Sequence, residues 1–243
     1  MTRLLAIETT EKRGSVAVSL DGKVLLYNEL PDGQRSAQSL VPTIQTVLQQ
    51  ADWPVKSLDA VAVALGPGSF TGLRVGLATA RTLAYSVGAK LLGVNTLQAI
   101  AANVCLAQSC EYGKNRQCVT AAIDAQRGEV SAQTFQLIPS RHFTGELYPE
   151  PVDERRLLTF AAWWELANVD VTLVYCGPIL YKIAAQKPEN VQLLDESLWS
   201  PNALGVSRIA WERLLSGESD DLWTLQPYYS RPSAAEERLN HVG

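Results

Sequence analysis

Residues 122–130 read Ala-Ile-Asp-Ala-Gln-Arg-Gly-Glu-Val, and an earlier stretch of the same chain reads much the same. There, Ala6-Ile7-Glu8 is followed by Arg13-Gly14-Ser15-Val16; here, Ala122-Ile123-Asp124 is followed by Arg127-Gly128-Glu129-Val130. A further pair agrees in the same order: Leu65-Gly66-Pro67 stands before one predicted helix and Cys176-Gly177-Pro178 before another. The spacing between partners is nearly constant. Strand-turn-helix punctuation recurs by chance in any α/β protein, which is the competing reading. Three landmarks in one order favour an internal duplication, with two similar lobes facing each other across a cleft.

Working outward from these landmarks, short apolar runs predict strands over 4–8, 15–20 and 23–30, the last two joined by the hairpin signal Asp21-Gly22. A helix is expected over 36–51, with Leu40, Ile44, Val47 and Leu48 on one face and Pro42 bending it. A strand over 60–65, a helix to about 86, a strand over 90–94 and a helix over 96–107 capped by Thr96 complete the first half. The pattern lapses into Gly, Asn and charge around 109–115, and a boundary is placed there. The second half then predicts paired strands over 117–124 and 129–137, a third near 146–149, and a helix over 153–167. A strand over 171–176, a helix after Gly177-Pro178, a strand over 191–194 and a helix over 202–215 follow. The expected division is a first lobe at 1–108, a second at 116–230 and a solvated C-terminal tail at 231–243.

Composition bounds the rest. With 243 residues, 47% of them hydrophobic, the chain can bury a full core without staples, which excludes disorder. No apolar run approaches the roughly 18 residues of a membrane span, and Met1–Glu8 does not read as an export leader, so a cytoplasmic location is expected. Twenty-one Lys and Arg against 25 Asp and Glu leave a net charge of −4, ill suited to gripping nucleic acid unaided. Cys105, Cys110, Cys118 and Cys176 form no C-x-x-C pair, and His142 and His241 lie far apart, so reduced thiols are expected rather than a zinc site.

The most conspicuous motif is Gly66-Pro-Gly-Ser-Phe-Thr-Gly-Leu-Arg-Val-Gly76, between a strand and a helix. Glycines there allow tight turns, and the first N–H groups of a helix can hold an anion. No Lys follows as a P-loop requires. Thr71 stands where the dinucleotide fingerprint needs its third glycine, and no acid occurs from 82 to 93. Two readings stay open: weak nucleotide or anion binding by Glu8, Thr9, Thr10, Gly66, Gly68 and Ser69, or a loop that packs its helix tightly on the sheet. On the helix itself, Gly72, Gly76, Ala80 and Ala84 recur every four residues, with Leu73 and Leu77 beside them and Arg74 and Arg81 on another face. Such a row serves intramolecular packing or a subunit interface. Glu8 and Asp124 occupy equivalent places in the two halves, where an acid can hold hydrated Mg²⁺ or act in acid–base work; Asp124 with Arg127 and Gly128 also fits a plain hairpin turn.

Together, Leu-Leu-Ala-Ile-Glu8-Thr-Thr, the glycine segment 66–76, residues 122–130 and the closing Pro227-Tyr-Tyr-Ser-Arg-Pro-Ser-Ala-Ala-Glu236 resemble the bacterial TsaB (YeaZ) family, in register over nearly the whole chain. The resemblance implies an α/β, actin-like/sugar-kinase-like (ASKHA) fold of two related lobes with mixed sheets flanked by helices. It also implies a role in making threonylcarbamoyladenosine in tRNA, as the non-catalytic partner of TsaD, which carries metal-binding histidines, with the ATPase TsaE joining the assembly. No catalytic residue and no bound metal are then expected in this chain, and ATP or ADP with Mg belongs at a subunit boundary if anywhere. The tRNA would be met only through the complex, and the chain alone would form a homodimer. The family's contact surface makes Leu40, Ile44, Phe70, Gly72, Leu73, Arg74, Gly76, Leu77, Ala80 and Arg81 the partner-interface candidates. Two departures stand out: Glu8 where members often have Asp, and Ser36 where they have His. The sequence holds no H-x-x-x-H, which separates it from the catalytic branch. The rival class is an enzyme of the same fold, an ATP-dependent small-molecule kinase or a metallopeptidase-like protein.

Overall fold

The structure, a computed structural model, describes residues 1–107, 118–169 and 173–230. Its first sheet contains β1 (Arg3–Glu8), β2 (Ser15–Leu20), β3 (Lys23–Glu29), β4 (Ala60–Gly66) and β5 (Lys90–Asn95), in the order β3-β2-β1-β4-β5. The hairpins β1–β2 and β2–β3 are antiparallel, while β1–β4 and β4–β5 are parallel. The second sheet contains β6 (Cys118–Gln126), β7 (Glu129–Pro139), β8 (Leu147–Pro151), β9 (Arg156–Thr159), β10 (Val174–Cys176) and β11 (Gln192–Leu193). Its order is β11-β10-β6-β7-β8, with β9 also paired to β7. Position for position, β6, β7, β8, β10 and β11 repeat β1 to β5, including the switch from antiparallel hairpins to parallel crossovers. The duplication read from the landmarks is therefore the topology of the molecule: two mixed α/β lobes in the actin-like, sugar-kinase-like arrangement.

Strand alternation distributes the core. Leu5, Ile7, Val16, Val18, Val61 and Val63 point to one face of the first sheet, which is covered by α1 (Ser36–Gln50) and α2 (Phe70–Val87). Leu4, Ala6, Ala17, Ala60 and Ala62 point to the other, where small side chains let helices approach closely. On that face lie α3 (Thr96–Leu106) and α6 (Ala203–Leu215). The two lobes share α3 as a spine: Leu97, Ile100, Ala101 and Val104 enter the second lobe's core, while Ala99 and Ala102 pack with α6 on the first sheet. A Cβ on Gly205 of α6 would lie 2.1 Å from the Ala99 carbonyl oxygen, so only glycine allows that crossing.

Three expectations are corrected. The helix expected over 153–167 is a strand, β9, followed by α4 (Phe160–Val169). The eleven-residue β7 is longer than β8 can cover, so Arg156–Thr159 pairs with its free half, Glu129 to Ala132. The α3 cap is Asn95, whose side chain accepts from the Leu97 N–H, while Thr96 Oγ1 instead accepts from Gly66 N. The helix expected after Gly177-Pro178 is present, as the single turn α5 (Leu180–Ile183), against the 18 residues of α2. Finally α6, expected to close the second half, lies on β1, β2 and β5 of the first lobe. The boundary expected at 109–115 and the tail at 231–243 lie outside the described residues.

Candidate functional site

The glycine segment admits the chain's own loop. Thr9 and Thr10, just after β1, press into the start of α2. A Cβ on Gly68 would lie 2.5 Å from Thr10 Cβ, one on Gly72 1.8 Å from the Thr9 carbonyl oxygen, and one on Gly76 2.4 Å from Thr9 Oγ1. Hydrogen bonds seal the contact: Ser69 N donates to Thr10 O at 2.7 Å, Thr9 Oγ1 donates to Gly72 O at 2.8 Å, and the Ser69 hydroxyl caps α2 by accepting from Gly72 N. Glu8, Thr9, Thr10, Gly66, Gly68 and Ser69 do come together as the sequence anticipates. The space in which glycines would admit phosphate is filled by Thr9 and Thr10, so these residues do not fit a nucleotide phosphate there.

The small-residue row on α2 is likewise internal. Gly72 and Gly76 face Thr9; Leu77, Ala80 and Ala84 join Leu40 and Ile44 in the core under α1, and Leu73 is buried beside Gly66. Their sequence-based assignment to a partner surface is corrected accordingly: the row exists so that α2 can lie close to its own loop and sheet. Of that set, Phe70 and Arg74 are exposed, and Arg81 is half-buried, its guanidinium donating to the Leu225 carbonyl.

The acids at the two strand ends differ. Glu8 is fully buried, Oε1 accepts from the Thr10 N–H and hydroxyl, and Oε2 has no partner. Burial pushes its carboxyl up to about 8, against the lowering effect of those bonds. Nearby Glu11, which sequence reasoning missed, is pushed up to about 7, mainly by burial, with Asp124 adding and Lys182 opposing. Asp124 pairs with Lys182 and accepts from Gln126 N at 2.8 Å. Among the described residues, no group of three or more His, Cys, Asp or Glu side chains is placed to hold a metal ion.

The outer flank of α2 has a different character. Phe70 stacks on Tyr229 with ring centroids 4.7 Å apart, and the Arg74 guanidinium lies 3.8 Å from the Phe70 ring while its Nε donates to Tyr229 Oη at 3.1 Å. At the other end, Tyr85 and Trp223, 64% and 69% exposed, pack edge to face. Tyr229 and Trp223 belong to a strap, residues 218–230, that runs back over the first lobe. Arg213 grips Asp220 with two hydrogen bonds, Asp220 N donates to Leu91 O, and Tyr228 N donates to Leu65 O at 2.7 Å. Burial lowers Arg155, from the second lobe, which stacks on the Tyr228 ring at 3.2 Å. Sequence reasoning missed the strap aromatics as surface residues; the one signal was their density, with Trp223, Tyr228 and Tyr229 within seven residues of a polar stretch.

Comparison with known proteins places this architecture. A family profile described as "TsaD: tRNA N6-adenosine threonylcarbamoyltransferase" matches residues 33–152. The tRNA threonylcarbamoyladenosine biosynthesis protein TsaB of Escherichia coli is 30% identical over 242 residues, covering 98% of both chains. The chain belongs to the TsaB family. As a TsaB family member it is a tRNA threonylcarbamoyladenosine biosynthesis protein. The Haemophilus influenzae protein of the same name is 28% identical, covering 97% of this chain and 96% of its own. Among solved structures, YeaZ from Pseudomonas aeruginosa superposes with a TM-score of 0.74 at 26% identity, over 94% of this chain and all of that one. No helix among the described residues is long and apolar enough to cross a membrane.

Proposed function

We propose that this TsaB family member is a non-catalytic, activating subunit of a cytoplasmic tRNA threonylcarbamoyl transferase complex, docking on the catalytic TsaD subunit through the outer faces of α1 and α2. One observation carries the reading. The 15 residues of α1 and the 18 of α2 contain no Lys, Asp or Glu, and their only charges are Arg74 and Arg81. Both helices nevertheless present a full outer flank, with Val41, Pro42 and Gln45 on α1 and Phe70, Arg74, Ala78 and Tyr85 on α2. A solvated helix face is ordinarily studded with Lys and Glu. Their depletion, with aromatic residues and Arg retained, is the composition of an interface core.

The same flank supports a homodimer when the chain is alone, since an apolar patch left in water is costly. TsaE and tRNA join through the catalytic subunit, and ATP or ADP with Mg, where it acts, sits on partner chains or at their boundary. The enzyme reading is disfavoured by the filled glycine loop and by the histidine pattern, since His142 and His241 are too far apart in sequence for H-x-x-x-H. The test is Arg74→Glu combined with Tyr85→Ala, titrated calorimetrically against the catalytic subunit from the same organism. Affinity should fall at least about tenfold with melting unchanged. Unchanged affinity would remove α2 from the interface, and micromolar ATP binding by the isolated chain would favour the enzyme.

A further inference from the structure

Two consecutive strap residues engage different lobes. Tyr229 lies against Phe70 and Arg74 on the outer flank of α2, while Tyr228 lies under Arg155 of the second lobe, 3.2 Å from guanidinium carbon to ring centroid. Among the described residues, no carboxylate lies within ion-pair distance of either arginine; aromatic rings and a phenol are what they meet. Each arm of the Tyr228–Arg155 contact is anchored. On the first lobe, Tyr228 N donates to Leu65 O, and its carbonyl oxygen passes so close to Gly66 that a Cβ there would lie 2.3 Å away. On the second, Asp153 accepts from Thr134 N through its carboxylate and from Gln133 Nε2 through its carbonyl, which fixes the segment that carries Arg155.

The lobes also meet along α3 and α6, but that contact is fully buried and closely packed. Arg155 on Tyr228 is a half-buried contact between two side chains, held by a cation–π attraction. It is therefore a contact between the lobes that small displacements of the strap can strengthen or release.

We propose that the Tyr228-Tyr229 pair couples occupancy of the α2 outer flank to the setting of the second lobe: a partner that clamps Tyr229 against Phe70 and Arg74 immobilises the strap and so tightens Tyr228 on Arg155. This rests on the docking reading given above. The coupling is positive and reciprocal, as linkage requires. Loosening Arg155 weakens docking although Arg155 does not touch the partner.

Hydrogen exchange on the full chain, with and without the catalytic subunit, tests it. In the wild type, docking should slow exchange in α2 and the strap and also in residues 153–159. In Arg155→Gln and in Tyr228→Leu, protection of α2 should persist while that of 153–159 is lost, with affinity about two- to tenfold weaker. Tyr228→Phe keeps the ring and should retain the coupling; Arg156→Gln, which removes a neighbouring exposed charge, should behave as wild type. Equal protection of 153–159 in wild type and Arg155→Gln, its absence from both, or an Arg156→Gln effect as large as that of Arg155→Gln would overturn the coupling. Failure of α2 and the strap to gain any protection would instead overturn the docking reading, and the coupling with it.

Discussion

The two lobes begin from the same punctuation and diverge after it. Gly66-Pro67 leads into the 18-residue α2, whereas Gly177-Pro178 leads into the four-residue α5. At the strand ends, Glu8 is sealed under its own loop, whereas Asp124 reaches a lysine at the rim. The strands before these points match in order and direction. The shared part is the part that a sheet's hydrogen bonding dictates, and the divergent part lies in the strand ends and the connections that follow them. In the first lobe the connection has grown into a helix with two usable flanks, one closed on the protein and one left uncharged.

The largest test of that division is Gly72→Ala. Alanine is the better helix former by about 1 kcal/mol, so on an open flank the change would stabilise. On the inner flank its methyl would stand 1.8 Å from the Thr9 carbonyl oxygen, a backbone atom that cannot swing aside. We expect a loss of about 3 kcal/mol or more in urea unfolding. Gly177→Ala should act alike in the second lobe, because φ is +123° and the added carbon would stand 1.9 Å from Ala122 O. Ala78→Leu, on the exposed flank of α2, should leave stability within about 0.5 kcal/mol. A stable Gly72→Ala protein would mean that the inner flank is not closed.

Much of this was legible in the chain. Period-two apolar runs and the repeated landmarks give both sheets, because alternation follows directly from strand geometry. The small-residue row on α2 gave only that something packs closely there. Its occupant, Thr9-Thr10, lies more than sixty residues away, and spacing alone does not separate a loop from a partner. The β9 strand was hidden because Arg156-Leu-Leu-Thr runs straight into the helix-forming Phe-Ala-Ala-Trp-Trp, and only the free edge of β7 decides it. Arg155 and Tyr228 carry no local signal of each other at all.

The acid comparison yields a pH effect. Glu8 has a folded-state value of about 8 against an ordinary 4.5. Below about pH 4.5 both folded and unfolded states carry the proton. Above it the unfolded carboxyl ionises while the folded one does not, so stability falls as pH rises and levels off beyond about 8. Between pH 5 and pH 7 this contributes a loss of about 2–3 kcal/mol, and Glu11, raised in the same direction, adds to it. Glu8→Gln, neutral at every pH, should flatten most of the slope in urea midpoints measured from pH 5 to pH 8. A wild-type chain equally stable across that range would show that Glu8 is hydrated when folded.

A smaller effect distinguishes the corrected cap. Asn95 both caps α3 and donates to Gln133 Oε1 of the second lobe at 2.7 Å. Asn95→Ala should cost about 1–2 kcal/mol, the range of a lost cap plus a partner left unpaired. Asn95→Asp keeps the acceptor but not the amide donor, so it should recover the cap and not the link to Gln133. Recovery of the full loss by aspartate would leave the lobe-to-lobe bond with no share in stability.

The smallest effect lies at the second lobe's acid. The Lys182 side chain is 61% exposed and that of Asp124 16% exposed. Water screens such a pair, and the long lysine chain loses freedom in making it, so Lys182→Met should change stability by less than about 1 kcal/mol, and less still in high salt. Asp124 would retain its bond from Gln126 N, so no buried charge is orphaned. Glu8 has no such outlet, because it is fully buried and its second oxygen has no partner among the described residues. The contrast in size between Glu8→Gln and Lys182→Met therefore measures how differently the two lobes treat equivalent carboxylates. If Lys182→Met proved as costly as a buried-pair break, about 3–5 kcal/mol, Asp124 would have to be shielded from water by the first lobe.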